Sequence, residues 1–254
     1  LIIINYVNLI KSFKKILIYY IIMETINIKR LIKDITQLND DALKSHNIFH
    51  HFIDEDIYNI RVLMIGPSDT PYEHGFYFFH ISIPEKYPFV PPQVKYYTQG
   101  NNIRFNPNLY TNGKVCLSII NTWNGPQWTS CNSISTILLS IQSLVFVDNP
   151  LQNEPGFENE ISERVNNYTK IIEHENFNIA IIKMIEEPPC GFECFSNITQ
   201  KYLIDNFEKL NTKLDELKKN DGKIITSNFY NLKVKLNYKN IKTKLKSLNK
   251  SLSK

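Results

Sequence analysis

Glycine, cysteine and tryptophan are scarce in this chain of 254 residues, which holds 8, 4 and 2 of them. No glycine-rich loop of the kind that cradles a phosphate occurs, so no bound nucleotide is expected. The four cysteines, Cys116, Cys131, Cys190 and Cys194, have no spacing that suggests a disulfide framework, and a free thiol belongs in a reducing compartment, the cytoplasm or nucleus. Cys190 and Cys194 stand close together but lack the further Cys or His partners that four tetrahedral ligands require, so no metal is expected either.

Long apolar runs are missing too. Leu1–Ile22 is rich in Ile, Leu and Tyr, but Lys11, Lys14 and Lys15 divide it into stretches too short to span a bilayer. It also lacks the small-residue cleavage site of a secretory signal. No membrane partner is expected. Met23-Glu24-Thr25-Ile26 reads as a natural start, which makes residues 1–22 an upstream translated segment of an AT-rich gene by expectation.

The net charge of +4 conceals an asymmetry: Asp221–Lys254 carries nine Lys against one Asp, while the middle of the chain is acidic. Such a block forms a solvated or interacting face. The tail has no Arg and few aromatics to stack on bases, which weighs against nucleic acid as a partner.

What is present is a regular alternation of elements. Ile28, Leu31, Ile32, Ile35 and Leu38 recur at helical spacing. Runs rich in β-branched and aromatic residues follow at Ile48–Ile53, Ile60–Ile65, Phe76–Ile83 and Val94–Thr98, with turns short enough to imply an antiparallel meander. Asn132 or Ser133 can cap a helix with the stripe Ile134, Ile137, Leu138, Ile141, Leu144 and Val145, which Asn149-Pro150 should end. A further helix is expected over about Glu158–Met184, an amphipathic one through Tyr202, Leu203, Phe207, Leu210, Leu214 and Leu217, and a basic final one through Ile241, Leu245, Leu248 and Leu252. The class is α/β in the α+β sense: an N-terminal helix, a four-stranded antiparallel meander sheet, a central helix and C-terminal helices. The expected division is a core at 23–187 and a helical, Lys-rich extension at 188–254. Trp123, Trp128, Tyr87 and Tyr72 are read as packing residues.

The richest segment is Phe105-Asn106-Pro107-Asn108-Leu109-Tyr110-Thr111-Asn112-Gly113-Lys114-Val115-Cys116. A lone cysteine after a tight turn, beside a fixed amide side chain, suits thioester chemistry: the sulfur is the nucleophile, and a nearby donor can stabilise the oxyanion. A lone cysteine among apolar neighbours is otherwise a small buried hydrophobe.

This segment resembles the active site of ubiquitin-conjugating enzymes, in which a His-Pro-Asn turn precedes the acceptor cysteine. Three further stretches resemble the family in the same order: Gly66-Pro67-Ser68-Asp69-Thr70-Pro71-Tyr72-Glu73-His74-Gly75, Tyr87-Pro88-Phe89-Val90-Pro91-Pro92, and Trp128-Thr129 before a helix, with Asn149-Pro150 beyond. Asn106 stands where most members have His, which resembles a large subgroup that includes the conjugating enzyme charged by the second, non-standard ubiquitin-activating enzyme. The resemblance implies a UBC-like fold and a transferase that takes ubiquitin onto Cys116 and passes it to a substrate lysine, alone or with a ligase. ATP is used only by the activating enzyme. It gives Asn108 the oxyanion role, with a purely structural turn role as the alternative. Asn106 and Pro107 become turn residues, Phe89, Ser130 and Cys131 ligase contacts, and Asn153 or Glu154 the group that orients the lysine. Its partners are ubiquitin, the activating enzyme, a ligase and protein substrates. Conjugation of another ubiquitin-like modifier and a non-catalytic ubiquitin-binding role are the alternatives. Phe229-Tyr230-Asn231-Leu232 loosely resembles the extension of that subgroup.

Overall fold

A computed structural model describes residues 27–39 and 41–253; the segment expected to be upstream sequence, residues 1–22, lies outside them. Helix α1 covers 27–38 and buries Leu31 and Leu38. A single turn, α2 (Asp41–Ser45), leads into β1 (Ile48–Ile53), β2 (Asp56–Ile65), β3 (Phe76–Ser82) and β4 (Gln93–Tyr96). These form one sheet in chain order, with each neighbour antiparallel. The meander expected from the short turns is what the chain builds.

Strand β3 explains how the domain is layered. Its residues Phe76, Tyr77, Phe78, Phe79 and Ile81 are all buried, so both faces of the strand are covered. On one face Tyr77 packs against Phe146 at 4.6 Å between ring centres and against Phe105 at 5.9 Å. On the other, Phe76 meets Tyr202, and Phe78 meets Phe192 and Phe195. Residues on the first face hold the cysteine segment, and the C-terminal part of the chain covers the second. The turn after β2 is equally specific. A Cβ at Gly66 would lie 1.8 Å from the carbonyl oxygen of Tyr72, so only glycine lets the hairpin close and seat Tyr72 inside.

Helix α3 (Ile134–Val145) begins at Ser133, whose hydroxyl accepts from the Thr136 N–H while Thr136 Oγ1 accepts from the Ser133 N–H. This reciprocal cap satisfies two donors that the first turn would otherwise leave open. Ser133→Ala is expected to cost about 1 kcal/mol in urea unfolding; a loss under 0.3 kcal/mol would contradict the cap. The stripe Ile134, Ile137, Leu138, Ile141 and Val145 is buried, but Leu144 is 54% exposed and falls outside it. The helix stops at Phe146 rather than at Asn149-Pro150. Asn149 instead caps a short 3-10 turn, Pro150–Asn153, by accepting from the Leu151 N–H.

The next helix, α4 (Glu163–Glu175), starts five residues later than expected, because Ser162 supplies the cap by accepting from the Val165 N–H. It runs through a π-helical stretch, Asn176–Lys183, into a last turn, α5 (Met184–Glu186). Beyond come α6 (Ser196–Leu217), a hairpin of β5 (Ile224–Ser227) and β6 (Leu232–Lys235), and α7 (Tyr238–Leu252). The extension is therefore not wholly helical. The hairpin is short and carries lysines in β6, so neither strand shows a clean apolar alternation.

Candidate active site

Asn106 is the anchor of the segment that precedes Cys116. Its side chain is fully buried, and every hydrogen-bonding direction is used. Nδ2 donates to the Val145 carbonyl at 2.9 Å and to the Tyr72 hydroxyl at 3.0 Å. Oδ1 accepts from the Asn108 N–H at 2.8 Å and from Asn153 Nδ2 at 3.3 Å. Tyr72 in turn donates to the Phe105 carbonyl at 2.8 Å. Complete burial drives the Tyr72 phenol far above its usual range, so the hydroxyl stays a donor throughout. The Leu109 N–H closes the turn on the Asn106 carbonyl at 2.9 Å.

The turn then grips the cysteine from both sides. The Cys116 N–H donates to the Asn108 carbonyl at 2.9 Å, and Asn108 Nδ2 donates to the Cys116 carbonyl at 2.5 Å. Asn108 Oδ1 is buried with no partner. Downstream, Thr122 Oγ1 donates to the Val115 carbonyl and accepts from the Leu117 N–H, fixing the chain on the far side of Cys116. Cys116 itself is 3% exposed, whereas the residues at 121–127 just beyond it are exposed throughout. Trp123 lies among them at 46% exposure. It does not pack in the core as expected, whereas Trp128, Tyr87 and Tyr72 are buried.

A second group of predicted residues sits on one surface. Phe89 is 56% exposed, and Ser130 and Cys131 are exposed as well. Trp128 joins their loops, because its indole N–H donates to the Pro88 carbonyl at 2.6 Å. Arg30 of α1 ties in from the side: it donates to the carbonyls of Ser130 and Asn132 and pairs with Asp34 at 2.9 Å. Tyr87 donates to the same carboxylate. Burial first, and then the bond to Asp34, push the Tyr87 phenol upward.

Asn153 and Glu154 part company. Asn153 is bound into the turn through Asn106 and the Leu144 carbonyl. Glu154 accepts instead from Tyr230, a residue of the extension, at 2.6 Å. Sequence reasoning missed Tyr230, and also Arg104, which donates to the Pro107 carbonyl and packs its guanidinium on Tyr110 and Tyr230. An arginine just ahead of the Asn-Pro-Asn turn was the available signal for one, and the loose likeness at Phe229–Leu232 for the other. Cys190 and Cys194 are exposed and free, and no group of three or more His, Cys, Asp or Glu side chains among the described residues could hold a metal ion.

A four-stranded antiparallel meander flanked by helices thus carries an Asn-Pro-Asn turn hydrogen-bonded to the cysteine that follows it. Residues 30–177 match the family described as ubiquitin-conjugating enzyme, and the chain belongs to that family. Among its relatives, ubiquitin-conjugating enzyme E2 Z of Xenopus tropicalis is 52% identical over 133 residues, covering 52% of this chain and 42% of that protein. E2 Z of Danio rerio is 39% identical over 199 residues, or 78% of this chain and 60% of that protein. The human E2 Z is 47% identical over 156 residues, covering 60% and 44%. These relatives agree with the Asn-Pro-Asn subgroup that Asn106 points to. The chain spans about half the length of the curated relatives it matches.

Proposed function

We propose that the chain accepts ubiquitin as a thioester on Cys116 and transfers it to an amine or to a ligase cysteine. The reciprocal hydrogen bonds between Asn108 and Cys116 carry this reading, because they fix a nucleophile and an amide donor side by side. In the first step the Cys116 thiolate attacks the thioester carbonyl carbon of ubiquitin held by the activating enzyme. A tetrahedral oxyanion forms, the old carbon–sulfur bond breaks, and the departing thiolate takes up a proton. In the second step a neutral lysine amine attacks the new thioester. The oxyanion collapses with loss of the Cys116 thiolate, the amine gives its proton to solvent, and an isopeptide bond remains.

Asn108 has the chemistry for both oxyanions. An amide NH₂ carries two N–H groups, and the bond to the Cys116 carbonyl uses one. A fixed donor loses little on reorganisation when charge develops, which is why such groups lower barriers. The exposed Phe89 and the joined loop at Ser130 and Cys131 form the surface proposed for a ligase, and α1 with its Lys29 and Lys33 that for the activating enzyme. No bound cofactor takes part; ATP is consumed by the activating enzyme. Incubation with ATP, ubiquitin and an activating enzyme should give a thiol-sensitive adduct that free lysine then discharges. Lack of an adduct with either ubiquitin-activating enzyme would overturn the proposal.

A further inference from the structure

Tyr230 lies in the loop between β5 and β6, 76 residues beyond Glu154, yet it reaches the rim of the conjugating site. Its backbone is left-handed, at φ 57° and ψ 19°. A bulky residue holds that conformation only where its surroundings fix it. Four contacts do so. The hydroxyl donates to Glu154 Oε2 at 2.6 Å, and the ring packs 4.3 Å from the Arg104 guanidinium and 5.8 Å from the Tyr168 ring. The preceding residue, Phe229, meets Phe157 edge to face at 4.9 Å.

Both charged partners lead straight to the active turn. Arg104 donates to the Pro107 carbonyl, and Asn153, next to Glu154, donates to Asn106 Oδ1. Glu154 Oε1 has no hydrogen-bond partner among the described residues, which leaves one carboxylate oxygen available. Burial and the neighbouring Glu154 push the Tyr230 phenol upward, so it remains a donor at any pH at which the enzyme works.

We propose that Tyr230 is a positioning residue for transfer to lysine: it fixes Glu154 through Oε2 and so presents Oε1 to the incoming lysine ammonium. This role rests on the reading of Cys116 given above. The carboxylate orients the ammonium, which releases its proton to water. The free amine attacks the thioester carbon, and the Cys116 thiolate leaves. A neutral thiol, 2-mercaptoethanol, carries no ammonium and needs no such guide.

The test is a single-turnover discharge of the ubiquitin-charged full chain, with free lysine or 2-mercaptoethanol as acceptor. Tyr230→Phe keeps the ring and its packing on Arg104. It should slow discharge to lysine by about five- to tenfold, the scale of one hydrogen bond, and raise the lysine concentration needed for half-maximal rate, while the thiol rate stays at the wild-type value. Glu154→Gln should show the same selective loss, and the double variant should be no slower than either single one. Lysine discharge within twofold of wild type, an equal slowing with thiol, or losses that multiply in the double variant would each overturn the role. Failure of the unaltered chain to charge shows before any discharge, and it would overturn the reading of Cys116 itself.

Discussion

Asn106→Ala should lose about 3–5 kcal/mol of folding free energy in urea denaturation, a large share of the 5–15 kcal/mol typical of a domain. The side chain is fully buried and serves four partners, on three separate segments of chain. Alanine leaves the Val145 carbonyl and the Asn108 N–H without it. A buried polar group deprived of its partner costs about 1–3 kcal/mol, more than the bond itself contributes in net terms. Tyr72 suffers less, because its hydroxyl keeps the Phe105 carbonyl as acceptor. Asn106→His restores a donor and an acceptor but adds volume to a closed site, so a loss of about 1–3 kcal/mol is expected from overpacking. A loss under 1 kcal/mol for the alanine variant would show that Asn106 does not hold the turn.

Asn108→Ala should give the opposite pattern, with little effect on stability and a large one on transfer. The substitution removes the bond to the Cys116 carbonyl and leaves that acceptor unpaired, at the low end of about 1–3 kcal/mol. It also removes Oδ1, a buried acceptor with no partner, and so relieves part of that cost. In the proposed reaction the same amide serves the developing oxyanion, and loss of one such donor lowers rates by about 10²–10³. Discharge of the charged chain to free lysine should therefore fall by about 10²-fold or more, while the melting temperature moves by a few degrees. A large drop in melting temperature with a proportionate drop in rate would favour the purely structural role for Asn108.

Much of this architecture could be read in the chain. Strand β3 announced itself because aromatic residues fill both of its faces, and α3 because its stripe recurs at helical spacing behind a capping serine. The turn before Cys116 was legible because Asn106-Pro107-Asn108 resembles the active-site turn of a known family. Legibility failed where local pattern and tertiary packing part. Leu144 fits the helical stripe but faces out near the end of α3, and Trp123 is apolar enough for a core that it does not enter. The start of α4 depended on Ser162 as the cap, not on the Glu-rich stretch before it. The β5–β6 hairpin is too short and too rich in lysine to declare a strand period. The contacts of Tyr230 were hidden for a deeper reason: the likeness at Phe229–Leu232 marks the segment, but no spacing along the chain encodes its return across the fold to Glu154 and Arg104.

Intact-mass measurement after charging tests most directly whether Cys116 carries the acyl group. Treated with ATP, ubiquitin and the activating enzyme that charges it, the chain should gain the mass of one ubiquitin less one water. A reducing thiol should remove that gain, and Cys116→Ala should never acquire it. A gain that survives in Cys116→Ala, or that maps to Cys131, Cys190 or Cys194, would contradict the account.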